Sequence, residues 1–205
     1  QNKALEFSLF LSIPAAAALL ISSEEIISAL FGYGSFSELS VINSAKALYF
    51  FSLGLPAFAL IKVFSSFFFA NHNTKTPFYI SLISVALNIA ISLYYFKDIG
   101  FIIIPIATSI SSWFNSICLF YYLKKKDLFS FNKIFFNKLL RIFLASLIMG
   151  VFLSFLISNF ENYLMYEYYL KSFYLILSVI ICLIFYLLVS FFIKAFNYQD
   201  LKLKY

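Results

Sequence analysis

G-L-P-A-F-A-L-I-K-V-F-S-S-F-F-F-A-N-H-N-T-K-T-P, from Gly54 to Pro77, opens as an apolar helix with a proline inside it. It holds a lysine part-way along and ends in a polar turn closed by a second proline. A charge and a helix-breaking residue inside one lipid-type segment are costly unless they line a cavity. The segment therefore predicts a membrane helix that borders a lined space.

Composition agrees. Hydrophobic residues make up 63% of the 205-residue chain, charged residues 12%, and mean hydropathy is +0.93. A soluble domain of this size carries about a quarter charged residues, so the chain reads as an integral membrane protein, all-α and polytopic. Six stretches reach the roughly 20 apolar residues that cross a bilayer: Leu5–Leu30, Val41–Ala70, Phe78–Phe96, Gly100–Leu123, Leu139–Phe160 and Lys171–Phe196. Pro14 and Pro56 predict kinks or tilts in the first two. The first run is too long for a cleavable signal and lacks a basic start. Gln1 is not a start methionine, and the chain is expected to begin inside a larger protein.

Loop charge sets an expected orientation. With the N-terminus cytoplasmic, the inner loops hold Lys3, Lys75, Lys124–Lys126, Lys133, Lys138, Arg141, Lys194, Lys202 and Lys204. The outer loops hold only Lys46, Lys97 and Lys171, with Glu24, Glu25, Glu38, Asp98, Glu161 and Glu167. That asymmetry follows the positive-inside rule and places both chain ends in the cytoplasm. The net charge of +6 then calls for no nucleic-acid partner.

Residues 124–138 divide the chain into four helices (1–123), a basic connector, and a final pair with its tail (139–205). The connector mixes lysines with Leu128, Phe129, Phe131, Ile134, Phe135 and Phe136. It suits a short amphipathic helix on an anionic leaflet, or an ordinary loop obeying the charge rule.

Enzyme chemistry has little to stand on. There is no nucleophile elbow, HExxH or phosphate-cradling glycine loop. Cys118 and Cys182 lie in apolar runs and His72 has no partner ligand nearby, so no metal site or disulfide is expected. Glu24 and Glu25 are the adjacent acids, best read as a solvated helix-end pair. The polar residues within spans carry more. Lys62 either snorkels to the interface or offers a cation to an anionic substrate in an aqueous cavity. Asn88 and Ser92 share one helix face; Thr108, Ser109, Ser111, Ser112 and Asn115 lie in the next span, most simply as interhelical hydrogen bonds. Pro105 is expected to free a carbonyl near Phe101 and to push Ile104 from ideal helix geometry. Freed carbonyls beside Asn88 and Thr108 would suit a small cation.

The pieces I-P-A-A-A-A-L-L (Ile13–Leu20), L-F-G-Y-G-S-F (Leu30–Phe36), G-L-P-A-F-A-L-I-K-V-F (Gly54–Phe64) and F-F-A-N-H-N-T-K-T-P (Phe68–Pro77) occur in that order. Together with A-L-N (Ala86–Asn88) and A-T-S (Ala107–Ser109), the chain resembles the MurJ/MviN family of lipid II flippases, within the multidrug/oligosaccharidyl-lipid/polysaccharide exporter superfamily. The resemblance implies the ninth to fourteenth helices of a fourteen-helix fold at a bacterial inner membrane. It implies two six-helix lobes around a cavity and a C-terminal helix pair forming a groove for a prenyl tail. The implied partner is lipid II, moved between leaflets by alternating access, together with membrane lipids and an N-terminal lobe of the same protein. The family's cavity arginines lie in that lobe and in the first two C-lobe helices, so this chain alone is not expected to flip substrate. The motif residues are Pro56, Lys62, Thr74, Lys75 and Thr76. A sodium site carries over to Asn88, Ser92, Ile104 (through its carbonyl) and Thr108; coupling would use sodium or the membrane potential, with no other cofactor.

The chain departs from the family in places. The usual F-Y-A-R-x-D-T-R-T-P becomes Asn71, Asn73 and Lys75 at its first arginine, aspartate and second arginine. Lysine keeps charge but not bidentate phosphate recognition. Ser92 stands where the family has a carboxylate. Other polysaccharide-lipid flippases of the superfamily, of the O-antigen type, are the alternative, and lack the G-L-P-A-F…T-x-T-P block. A membrane-bound transferase is a more distant one, which would need a catalytic acid or histidine at the interface.

Overall fold

The computed structural model describes residues 2–126 and 133–195, apart from the side chains of residues 133 and 134. Among the described residues the regular structure is all helix: α1 (Asn2–Ile21), α2 (Ser23–Phe31), α3 (Glu38–Ala70), α4 (Lys75–Ile99), a 3-10 turn (Gly100–Ile102), α5 (Ile103–Lys125), α6 (Lys133–Asn159), α7 (Glu161–Leu164) and α8 (Lys171–Phe192). Five helical runs among them are long and apolar enough to cross a membrane. One of these, Lys75–Lys125, is two helices back to back, so the membrane-length helices are α1, α3, α4, α5, α6 and α8.

Gly100 separates α4 from α5. It takes φ +72°, a left-handed value that glycine adopts at no steric cost, and its N–H caps the Phe96 carbonyl. The chain then doubles back. The side-chain pairs Asn88–Thr108 and Ser81–Asn115 are both centred on Asp98, which makes α4 and α5 an antiparallel hairpin.

The first expected span ends earlier than its hydropathy suggests. Leu5–Leu30 is broken at Ser22 into α1 and α2. The Ser22 backbone leaves helical geometry at φ −117° and ψ 28°, and its hydroxyl donates to the Ala18 carbonyl at 2.7 Å. The connector also differs: Lys124 and Lys125 finish α5, and Lys133 already begins α6. Residues 127–132, and the tail from 196, lie outside the described residues.

Contacts group the backbone into two units, Gln1–Ser12 with Phe50–Phe136, and Ile13–Tyr49 with Asn137–Tyr205. In the first, α5 runs parallel to the second part of α3, with Phe64 and Phe120 rings 6.0 Å apart. Phe64, Phe68, Ala107, Leu119 and Leu123 are buried in its core. In the second, α6 and α8 are antiparallel. Phe160 meets Tyr174 at one end, with centroids 5.7 Å apart, and Arg141 donates to the Lys194 carbonyl at the other (3.1 Å). Ala145, Met149, Leu153, Cys182 and Tyr186 are buried there, while Val151, Phe155, Ile176, Ile180 and Leu183 keep an apolar face exposed.

Candidate functional site

The 71–77 turn is built by backbone hydrogen bonds. The Asn73 N–H reaches back to the Phe68 carbonyl and the His72 N–H to Phe69. This pair of bonds is the Schellman arrangement that ends a helix through one left-handed residue. Here that residue is His72, at φ +53°. Asn73 then opens α4: its Oδ1 accepts the Thr76 N–H at 3.2 Å and its Nδ2 donates to the Thr76 hydroxyl at 3.0 Å. An aspartate here would keep the acceptor and lose the donor. Pro77 falls in the first turn of α4, where a missing N–H is harmless. Thr74 and Lys75 are exposed. Together with Phe69, Pro77, Phe78 and Ser81 they line a cavity of about 590 Å³.

Upstream, Gly54 lies at the seam between α3 and α5. A Cβ on Gly54 would lie 2.9 Å from Ser109 Oγ and 3.1 Å from Ser109 Cα, so only glycine allows this approach. Across it the Ser109 hydroxyl donates to the Phe50 carbonyl (2.5 Å) and the Trp113 indole N–H to Leu53 (3.0 Å). Helix α3 continues through Pro56. Lys62 is exposed on α3; its carbonyl accepts the Ser66 hydroxyl.

A polar seam runs between α4 and α5. Asn88 Nδ2 donates to the Thr108 hydroxyl (3.0 Å) and to Ser111 Oγ (3.3 Å), and Thr108 in turn donates to the Ile104 carbonyl (2.8 Å). Three of the four cation-site candidates thus form one hydrogen-bonded string. The fourth, Ser92, has a buried hydroxyl with no partner. Asn115, almost fully buried, donates to Ser81 at 3.4 Å and leaves its Oδ1 unpartnered. A cavity of about 410 Å³ is lined by Asn88, Thr108, Ser111, Ser112 and Asn115, with Phe58 and Ile61 of α3 opposite. All the donors are neutral oxygens and amides, suited to a weakly held monovalent cation rather than to a transition metal.

Pro105 does not free a carbonyl. Helix α5 starts at Ile103, so Pro105 stands in its first turn, where N–H groups lack intrahelical partners in any case. The Phe101 carbonyl accepts the Ile103 N–H, and Ile104 is helical.

Residues 1–179 match the family model described as Lipid II flippase MurJ. This chain belongs to the MurJ family. It is 44% identical over 120 residues to a probable lipid II flippase MurJ of Rhizobium meliloti (strain 1021), covering 58% of this chain and 22% of that protein. It is 33% identical over 180 residues to one of Rickettsia prowazekii (strain Madrid E), covering 87% and 34%. A solved structure, lipid II flippase MurJ in an inward closed conformation, superposes with a TM-score of 0.76 at 27% identity. That match covers 94% of this chain and 38% of the other. The chain thus spans between 22% and 38% of the length of these relatives.

One part of this MurJ chain escapes sequence reasoning. Lys171, at the start of α8, is 1% exposed. Its ammonium donates to the carbonyls of Gly32 (2.7 Å) and Tyr166 (2.6 Å) and sits over the Tyr33 and Tyr166 rings at 4.4 and 4.5 Å. Tyr166 donates to the Phe36 carbonyl, and Tyr33 pairs with Ser172. The L-F-G-Y-G-S-F motif is therefore the socket for this lysine. Its signal was the motif's two glycines: a Cβ on Gly32 would meet Ser28 O at 2.6 Å, and Gly34 takes φ +63°.

Proposed function

We propose that this chain is the C-terminal part of a lipid II flippase, a transporter rather than an enzyme, working in peptidoglycan synthesis at a bacterial inner membrane. What supports the reading is a fold likeness to a lipid II flippase that runs through 94% of the chain, joined to the family match over residues 1–179. In this reading α1, α3, α4 and α5 belong to the transport lobe, and α6 with α8 forms the groove for the prenyl tail of the substrate. The exposed apolar face of α6 and α8 suits such a tail. Pro56, Lys62 and the Thr74–Thr76 turn serve the substrate path, Lys62 and Lys75 as cations for its pyrophosphate.

The loop charges support an arrangement with both ends in the cytoplasm and the Thr74–Pro77 turn on the entry side. Alternating access would then be coupled to the membrane potential or to sodium held by Asn88, Ser92, Thr108 and the Ile104 carbonyl. The full-length coding sequence should rescue cells depleted of their own lipid II flippase. Failure of a well-expressed, correctly inserted protein to do so overturns the proposal. Thiol labelling of single cysteines at Lys75 and Glu167 from outside the cell tests orientation: only the second should react.

A further inference from the structure

Glu24, Glu25, Glu38, Glu161 and Glu167 all line one cavity of about 390 Å³. Four of them stand in the first turn of a helix, two in α2 and one each in α3 and α7. The helix dipole favours an acid at each such place, so the residues taken singly need no ligand. Their convergence is another matter. Like charges gathered on one cavity repel unless a cation joins them, and among the described residues none of the five is paired with a basic side chain. The nearby Lys171 has its ammonium on the Gly32 and Tyr166 carbonyls instead. Burial raises the Glu25 carboxyl above its usual range; a backbone hydrogen bond opposes this and Glu24 adds to it.

A second observation points the same way. Ser28 lines the cavity, is 5% exposed, and its hydroxyl has no hydrogen-bond partner. A buried hydroxyl left unpaired is costly, and a ligand with N–H donors would satisfy it. Among the described residues, no three acids, histidines or cysteines come close enough together to hold a metal ion. The negative charge is spread around the wall, with Val41, Ile157 and Leu164 between the acids. That pattern fits a ligand carrying N–H donors on a methylene chain better than a compact ion.

We propose that this acidic cavity binds an organic primary ammonium group, with Ser28 accepting one of its N–H bonds and the glutamates neutralising its charge. The ammonium comes either from a soluble polyamine or from the ethanolamine headgroup of a lipid.

The test uses the whole chain in phosphatidylcholine nanodiscs, whose headgroup has no N–H, titrated with spermidine by calorimetry at low salt. One saturable site is expected. E167Q, at an exposed position that packing does not depend on, should weaken it by about two- to fivefold, in line with a single partly exposed ion pair. The double variant E25Q/E161Q should weaken it further. Asp98→Asn, exposed and outside the cavity, should leave it unchanged. Repeating the titration in phosphatidylethanolamine nanodiscs separates the sources: unchanged affinity assigns the soluble amine, reduced affinity the lipid headgroup. Absence of saturable binding in phosphatidylcholine, an equal loss in Asp98→Asn, or displacement of spermidine by magnesium at lower concentration overturns the proposal.

Discussion

The Lys171 ammonium of α8 donates to the Gly32 carbonyl at the end of α2, 2.7 Å away and 139 residues distant in sequence. With the Tyr166 carbonyl and two tyrosine faces around it, the charge is met on several sides without a carboxylate. Cation–π contacts strengthen when desolvated, which is how a lysine is held here at 1% exposure.

Lys171→Met should therefore destabilise the protein although it keeps the length of the side chain. It leaves the Gly32 and Tyr166 carbonyls short of a donor, a loss of about 1–3 kcal/mol. The measurement is thermal unfolding in detergent. A melting temperature unchanged from the parent would show that the socket contributes nothing.

The close approach of α3 and α5 yields a coupled prediction. Gly54→Ala places a methyl 2.9 Å from Ser109 Oγ, and overpacking of this kind costs about 1–3 kcal/mol. Ser109→Ala alone removes the bond to Phe50 and should cost about 1 kcal/mol. The double variant should lose less than the two costs together, since the second change makes room for the first. Strict additivity in unfolding measurements would refute the contact.

The polar seam of α4 and α5 gives a test of cation binding. Ser92 has a buried, unpartnered hydroxyl one turn from Asn88. Ser92→Asp would supply a carboxylate and should strengthen the rise in melting temperature that sodium chloride gives over choline chloride. Asn88→Ala or Thr108→Val should abolish that sodium effect. A parent and variants that respond identically to both salts would count against the site.

Glu25 predicts a pH dependence. Its folded-state pKa is raised, chiefly by burial, with Glu24, Glu38, Glu161 and Glu167 facing the same cavity. Between the ordinary carboxylate value and the raised one, the folded state binds more protons than the unfolded chain. Stability therefore falls as pH rises through that window. Glu25→Gln should flatten this part of the profile, and denaturant melts at stepped pH would show it. A bound ammonium should flatten it too.

What the sequence makes legible follows from solvent physics. Apolar runs of about 20 residues must be helical in lipid, so the helices and their order could be read directly. The break at Ser22 could not, because one serine in an apolar run is no helix stop, and the same back-bond sits in mid-helix at Ser66 and Ser146. The effect of Pro105 is hidden in the sequence because it depends on where α5 begins, just after Gly100. Asn88 and Thr108 were legible as a pair because a tight hairpin brings nearby segments into register. Lys171 was not. Its acceptors are backbone carbonyls, which any residue type supplies.

Helix α3 has 33 residues, about 50 Å of helix at 1.5 Å per residue. The hydrocarbon layer is about 30 Å thick, and tilts rarely exceed about 40°, at which α3 still rises about 38 Å. One end must stand clear of the lipid tails. The stretch that can do so is the first, where Glu38, Ser40, Asn43, Ser44 and Lys46 cluster. Glu38 is also part of the acidic wall. The overhang thus puts that wall at the level of headgroups and water, where an ammonium from either source would meet it without entering the oil.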